Sequence, residues 1–415
     1  MTKIVGHSVI TEFNKFSKLF RLIGIFPTFH SNNKNSIKRS ILFCYIIFFS
    51  VAFHVLQLAP NYIRQNVWFR HVSNPTDQFA FFGFISTIYI LRLICFFITL
   101  WKARSIYELL QSFQKYDTNF PCSNAVVREN RKLPTPFSPL FYFLSAGAMT
   151  NIIGNIAAGS KDFQKIFGPK SNDNFYLFGI SVTNIHLVLG ATFVSHGICE
   201  LAFVFFVSVL FYYIKCLKFR VVSIQLELSK FENLKSIEIF STRLRELFRI
   251  SKSIGECSGG FLLCFAGMSQ FLLLVALHLL IVYVLDPPIP NDFGEKSLIE
   301  DRELLKTGTF AIIVFVGFTL VRLGIFVYLG DLIEMAGDEF QWSLENLDNT
   351  SLAKFPEFAV QLDILRRLVS ENRFELDACG FFTVSRKLII SMLSSTITFL
   401  IVFTQFRSTT AGVLA

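Results

Sequence analysis

The chain has 415 residues; 52% of them are hydrophobic, 17% are charged, and the mean hydropathy is +0.51. Soluble domains carry about 25% charged residues, so the composition excludes an ordinary soluble protein and indicates an integral membrane protein. The net charge is +9, but the basic residues lie between apolar runs and not on one face, so we expect no nucleic-acid partner.

The first predicted element precedes the long apolar runs. Residues 8–24 place Phe13, Phe16, Phe20 and Ile23 three or four positions apart, with lysine and arginine between them. This spacing predicts an amphipathic helix, which we expect to lie on the inner leaflet of the membrane.

Apolar runs then recur at the length that a membrane-spanning helix needs, about 20 residues. Lipid offers no hydrogen-bond partners to the backbone, so the runs should be helices. We predict an all-α membrane protein with seven transmembrane helices at 41–59, 79–101, 140–158, 188–214, 261–285, 309–330 and 381–404. The fourth run is ambiguous, because the apolar stretch from Phe175 to Val209 could form one long tilted helix or two shorter helices.

Two charged, helix-prone segments lie between the spans. Residues 215–255 and 356–378 interleave leucines with charged side chains. We expect them to extend the fourth and seventh spans into the cytosol, where they could form a bundle between subunits or remain solvated loops.

The distribution of lysine and arginine gives the orientation. The N-terminus and alternate segments, counted with Arg386 and Lys387 at the start of the last span, hold 28 basic residues, and the other segments hold 9. Basic residues accumulate in cytosolic segments, so we predict a cytosolic N-terminus and an extracellular C-terminus. The Asn349-Thr350-Ser351 sequon then lies in the cytosol and should carry no glycan.

Three charged residues fall inside predicted spans, namely Arg92, Glu200 and Arg322. Charges at membrane depth are costly and need a partner or a function. The arginines could reach the cytosolic surface, whereas Glu200 lies near mid-depth. We therefore expect Glu200 to pair with one of the two arginines.

The last span carries a polar stripe. Its members recur at offsets of 0, 3, 4, 7 and 14, which places them on one helical face; they are Ser391, Ser394, Ser395, Thr398 and Gln405. Small polar residues favour close helix packing, but the same stripe could line a narrow pore. An amide near the outer end, at Gln405, favours the pore.

No motif of a soluble enzyme occurs in the sequence. Phosphate-binding glycine loops, nucleophile elbows and metal-spaced histidine pairs are all missing. We therefore expect no enzyme activity, no cofactor and no metal, and membrane lipids as obligatory partners.

The two ends of the chain carry motifs of a known family. The sequence Gly24-Ile25-Phe26-Pro27 precedes the first span. Near the C-terminus, Ala378-Cys379-Gly380-Phe381-Phe382 leads into Thr398-Phe399-Leu400-Ile401-Val402-Phe403-Thr404-Gln405-Phe406. The ending resembles the insect gustatory receptor signature, which is Thr-Tyr, five mostly apolar residues and then Gln-Phe. Phe399 replaces the usual tyrosine, and Leu400 stands where the sugar-receptor branch usually carries glutamate, which weakens a sugar assignment.

The resemblance implies a ligand-gated, non-selective cation channel of the plasma membrane of chemosensory neurons. Such a receptor is opened by a small-molecule tastant and assembles as a homo- or heterotetramer with other gustatory receptors. The resemblance assigns pore and gate roles to Ser391, Ser394, Ser395, Thr398, Val402, Gln405 and Phe406. A pocket among the earlier helices could use Tyr89, Asn151, Asn155, His278, Tyr283 and Thr309.

By this interpretation the chain has six parts. They are a cytosolic N-terminus with the amphipathic helix (1–40), spans one to four with the ligand pocket (41–214), a cytosolic helical extension (215–260), spans five and six (261–330), a cytosolic anchor (331–380), and the pore-lining span with a short extracellular tail (381–415).

Three alternatives stay open. A G-protein-coupled receptor would have the opposite orientation and carry Asp-Arg-Tyr and Asn-Pro-x-x-Tyr motifs, and neither motif is in place. A secondary transporter often shows internal repeats, and none is visible. The related insect odorant receptors share the layout but lack the Gln-Phe ending.

Overall fold

The computed structural model describes residues 4–22, 41–42, 45, 48, 75–121, 134–150, 175–177, 180–182, 185–228, 235–285, 295–346 and 356–414. Helices dominate this part of the chain. They are α1 (Ile4–Leu22), α2 (Pro75–Trp101), α3 (Ala103–Asn119), α4 (Ile185–Leu228), α5 (Lys235–Leu285), α6 (Glu295–Glu345), α7 (Pro356–Glu371) and α8 (Arg386–Leu414). Residues 139–150 are also helical.

The ambiguous fourth run contains one helix preceded by a small hairpin. Strand β1 (Phe175–Leu177) pairs antiparallel with β2 (Ile180–Val182). Helix α4 then begins at Ile185 and runs without interruption to Leu228. The apolar stretch exceeds the length of one span because its first residues form the two strands of the hairpin. The two-helix alternative is therefore wrong.

Most predicted spans coincide with helices. The spans 79–101, 188–214, 261–285 and 309–330 lie within α2, α4, α5 and α6. Of the remaining spans, 41–59 and 140–158 lie partly outside the described residues, and their described residues are helical. Four helices of the described part are long and apolar enough to cross a membrane, at Gly197–Leu228, Glu238–Ile281, Ile312–Glu345 and Arg386–Gln405. The number of seven spans and their orientation stay predictions.

The long helices extend beyond the spans in a different way from the one predicted. Helices α5 and α6 have 51 residues each, about 75 Å at 1.5 Å per residue, whereas the bilayer core is about 30 Å thick. Residues 215–228 continue α4 beyond the fourth span as predicted, whereas residues 235–260 belong to α5 and extend the fifth span. The segment 356–378 holds a separate helix, α7, and does not continue into α8.

The apolar face of α1 packs against the protein. Phe16 is fully buried, stacks on Phe205 of α4 at 5.6 Å between ring centroids, and meets Phe141 edge-on at 5.4 Å. Phe20 packs on the same Phe205 ring at 4.7 Å. The amphipathic helix is as predicted, and aromatic side chains of the same chain cover its apolar face. Its place on the inner leaflet stays a prediction.

A buried ion pair joins α3 to α4. The guanidinium of Arg220 donates from Nε to Asp117 Oδ1 at 2.8 Å and from Nη2 to Oδ2 at 2.5 Å. Its Nη1 donates to the Cys216 carbonyl oxygen at 2.6 Å, and its Cζ lies 4.7 Å from the Phe113 ring centroid. Bidentate geometry satisfies both buried charges, so this pair fixes the position of α3 along α4.

A tight turn precedes α8, and we call residues 376–384 the entry turn. Val384 N donates to the Leu376 carbonyl at 2.8 Å, and Ala378 N donates to the Phe382 carbonyl at 2.9 Å. The chain reverses at Cys379 and Gly380, whose φ angles are 56° and 78°. Because Phe382 and Val384 pair back onto Ala378 and Leu376, the residues after the reversal are not helical, and α8 begins at Arg386 and not at residue 381 as predicted.

The entry turn lies directly against two long helices. A Cβ at Gly259 of α5 would lie 2.8 Å from the backbone nitrogen of Cys379, and a Cβ at Gly330 of α6 would overlap the carbonyl oxygen of Val384. Only glycine permits such close backbone contact. Arg386 Nε also donates to Asp331 Oδ2 of α6 at 2.6 Å, so both backbone and side chain fix the start of α8.

We predict that Gly330→Ala destabilises the protein by at least about 2 kcal/mol, because the new methyl group overpacks the contact with Val384. Gly324→Ala on the same helix is the control, since nothing lies within 4 Å of its Cβ position. Thermal melting followed by size-exclusion chromatography of the detergent-solubilised protein measures both. Equal melting temperatures for the two variants would contradict the close docking of the entry turn.

Candidate functional site

Within the described part of the chain, helix α8 packs along one side against α5, α6 and α2. Met392 and Thr396 are buried on that side. Most of the predicted pore residues lie on the uncovered surface, and the exposed ones are Ser391, Ser394, Thr398, Val402 and Gln405. Phe406 belongs to α8, but its side chain is not described. These exposed members of the polar stripe lie on one face, and the described part of the chain does not cover them.

The uncovered surface of α8 has two different sides. One side carries the small polar residues, and the other carries large apolar residues, namely Ile390, Leu393, Ile397 and Ile401. The Thr398 hydroxyl donates to the Ser394 carbonyl oxygen at 3.0 Å, so hydroxyl groups of the polar side retain acceptors for water or cations. The arrangement suits a helix that faces water on one side and apolar neighbours on the other.

Ser395 departs from the predicted stripe. Gln270 of α5 donates from Nε2 to Ser395 Oγ at 2.5 Å, and the Ser395 hydroxyl donates to the Met392 carbonyl at 3.0 Å. Ser395 is therefore directed towards α5 at the edge of the polar face. A side-chain hydrogen bond between two apolar helices is directional, so this bond sets the rotation of α8 about its own axis.

A second contact between α5 and α8 lies farther along both helices. The ring of His278 meets the ring of Phe403 edge-on, with 5.0 Å between centroids. His278 follows Gln270 by 8 positions, and Phe403 follows Ser395 by the same 8. Equal spacing means that the two helices run parallel and in register. Of the residues proposed for the ligand pocket, His278 thus contacts the last helix.

The grouping of the other proposed pocket residues stays a prediction. Tyr89, Tyr283 and Thr309 lie on α2, α5 and α6, and their side chains are not described. Asn151 and Asn155 lie outside the described residues. An apolar cleft between α5, α6 and α8 is described instead, and its lining includes Phe265, Phe326, Leu388 and Met392.

The intramembrane glutamate pairs with one of the two arginines named from the sequence. Glu200 of α4 accepts a hydrogen bond and ion pair from Arg322 Nη2 of α6, and the Glu200 side chain is only 1% exposed. The Arg322 guanidinium lies 4.4 Å and 4.2 Å from the ring centroids of Phe203 and Phe318. Paired charge and aromatic faces lower the cost of burying the arginine. The Arg92 side chain is not described.

Apart from the Glu200 pair, sequence reasoning missed the partners across helices that are named here. Gln270 stands alone as an amide within the apolar run of the fifth span, and that isolation was a signal for an interhelical bond. Asp117 and Arg220 are 103 positions apart, and no local pattern connects them. Gly330 lies in a helix with other glycines, so its close contact was not visible from the sequence.

Comparison with known proteins identifies the family. The model of the 7tm chemosensory receptor family matches residues 16–410. The chain belongs to the 7tm chemosensory receptor family. This match confirms the resemblance seen at the two ends of the sequence, and together with the apolar helices it makes the chain a multi-pass membrane receptor. No curated protein matches the chain.

Solved structures share the fold of this chemosensory receptor. The insect olfactory receptor OR5 from Machilis hrabei is similar with a TM-score of 0.63 at 10% identity, covering 95% of this chain and 98% of that chain. The same receptor in complex with eugenol is similar with a TM-score of 0.62 at 11% identity and equal coverage. At this identity the likeness establishes the fold alone.

We predict that Glu200→Gln destabilises the receptor by about 3 kcal/mol, because Arg322 then keeps a buried charge without a charged partner. The matched control is Glu108→Gln, whose partner Arg104 is mostly exposed, and exposed pairs contribute about 0–1 kcal/mol. Thermal melting in detergent measures both variants. Adding Arg322→Met to Glu200→Gln should recover part of the lost stability; no loss in the single variant would exclude the pairing as a structural element.

Proposed function

We propose that the receptor is a gustatory receptor that acts as a ligand-gated, non-selective cation channel opened by a small-molecule tastant. In this proposal it spans the plasma membrane of chemosensory neurons seven times, with a cytosolic N-terminus, and forms homo- or heterotetramers. The polar face of α8, which the described residues of the chain leave uncovered, is the observation that carries the proposal.

A polar face in contact with lipid would be unfavourable. The face includes the amide of Gln405 together with Ser391, Ser394 and Thr398, all exposed in one chain. Polar side chains that leave water for an apolar medium cost several kcal/mol unless other partners replace their hydrogen bonds. Around a central axis, four such faces would instead line a water-filled path, which is the usual way that channels use small polar side chains.

The remaining surface of α8 also suits this arrangement. Its apolar side, with Leu393 and Ile397 exposed, can contact lipid or a neighbouring subunit. Gln270 fixes the rotation through Ser395, so the polar face points away from its own chain. Val402 and Gln405, together with Phe406, lie at the narrow outer end in this proposal and form the gate.

The gustatory assignment rests on the ending Thr398 to Gln405-Phe406, which resembles the gustatory receptor signature. The odorant-type channel is the alternative, because the solved structures with this fold are those of an olfactory receptor. One of those structures holds eugenol, and by analogy we propose that the ligand here is also a small organic molecule. Leu400 argues against a sugar.

A ligand screen on cells that express the receptor alone tests the proposal. We expect an agonist to evoke a whole-cell cation current. We expect Gln405→Ala to alter the open probability or conductance about ten-fold, as removal of a gate contact worth about 1.4 kcal/mol would do. Surface expression of this variant should be retained. Glu345→Gln is a matched control, since Glu345 is exposed at the end of α6. Normal currents from Gln405→Ala would remove this residue from the gate.

Cysteine accessibility tests the pore face separately. Thr398 is exposed, whereas Thr396, two positions earlier, is 1% exposed and donates to the Met392 carbonyl. We expect a charged methanethiosulfonate reagent to block most of the current through Thr398→Cys and to leave Thr396→Cys unaffected. Equal modification of both variants would mean that α8 does not present this face to the pore.

A further inference from the structure

The end of the bundle near the proposed gate has a small apolar core of its own. We call it the outer cluster, and its buried members are Ala80, Val275, Ala276, Leu279 and Ile312, with Leu280, Val316 and Phe403 packed against them. These residues come from α2, α5, α6 and α8. Among the described residues the main core is a different and larger cluster, which contains Met392 and Val384 near the start of α8, and Val316 packs against both.

The two cores hold α8 at different places. Near its start, α8 is fixed by the entry turn, by Met392 in the main core and by the Gln270–Ser395 hydrogen bond. Farther along, Phe403 joins α8 to the outer cluster. At the start of α8 the described restraints include hydrogen bonds to α5 and α6, whereas Phe403 makes apolar and ring contacts, so the packing of Phe403 guides the outer part of α8.

His278 provides the aromatic contact at this point. Its side chain is fully buried on α5 among members of the outer cluster, and its ring meets Phe403 edge-on at 5.0 Å. Phe403 lies two positions before Gln405. Edge-on aromatic pairs are directional, so a change in the position of α5 against α2 or α6 alters the preferred position of Phe403, and with it that of the gate.

We propose that His278 is a positioning residue that couples the helices of the outer cluster to the gate by way of Phe403. This inference deepens the proposed channel function and rests on it. The ring, not its charge, transmits the effect, since the contact is between two aromatic groups. Ligand binding among α2, α5 and α6 would then change the gate without touching α8 itself.

The test measures the position of the gate chemically and does not depend on ion conduction. Gln405→Cys is introduced into the full chain, and its labelling rate by a membrane-impermeant maleimide is measured on intact cells. We expect His278→Leu to change this rate about five-fold, the lower end of usual coupling between sites, and Phe403→Leu to do the same. The double variant should show no larger change, because each single variant already breaks the pair.

Two controls separate coupling from damage to the fold. His278→Phe keeps an aromatic ring and should preserve the labelling rate, and Leu272→Ala, buried on the same helix in the main core, should leave the rate unchanged if it folds. Size-exclusion profiles establish folding of every variant. The coupling would be overturned if the rate changes of His278→Leu and Phe403→Leu multiply in the double variant, or if Leu272→Ala changes the labelling rate equally. Either result would leave the channel proposal intact.

The chain without Gln405→Cys gives the background from its native cysteines. Failure of residue 405 to label in any background would refute the outward-facing gate and therefore this inference. If the receptor conducts no current but shows the expected labelling pattern, the result would refute the channel proposal and leave the coupling supported.

Discussion

The last helix begins where two glycines allow the backbone of the entry turn to lie against α5 and α6. Gly259 and Gly330 leave no room for a side chain, and the Arg386–Asp331 bond adds a directional contact at the first residue of α8. Because the backbone is held on two sides, the start and the direction of α8 are determined together. The placement of the polar face depends on this contact.

From that start, α8 follows α5 in register. The Gln270–Ser395 hydrogen bond and the His278–Phe403 ring pair occur eight residues apart on both helices. Two matched contacts between parallel helices permit only one rotation of α8 about its own axis. This rotation leaves Ser391, Ser394 and Thr398 uncovered by the described residues. The function that we propose for the polar face of α8 thus depends on how α5 orients α8.

Buried charges join the other helices. Glu200 with Arg322 connects α4 to α6, and Asp117 with Arg220 connects α3 to α4. Such pairs add little net stability compared with apolar packing, but an unpaired charge at these positions is costly. They therefore specify which helices are neighbours, and the aromatic rings around Arg322 and Arg220 limit the access of water.

Much of the fold could be predicted from the sequence, because the length of an apolar run and the 3.6-residue period are local properties. The helical nature of four complete spans, the amphipathic α1 and the common face of Ser391, Ser394 and Thr398 follow from them. The hairpin before α4 and the late start of α8 at Arg386 were not predicted, since both depend on chain reversals that hydropathy does not report.

The sequence by itself determined that the protein is a helical membrane protein of the chemosensory receptor family. Composition, the length of the apolar runs and the Gln405-Phe406 ending can all be seen without knowing which distant residues are in contact. Only the tertiary structure decided that Ser395 turns to Gln270, that Glu200 pairs with Arg322, and that the phenylalanines of α1 face protein. These contacts join residues more than a hundred positions apart, and packing between helices, not any local pattern, brings them together.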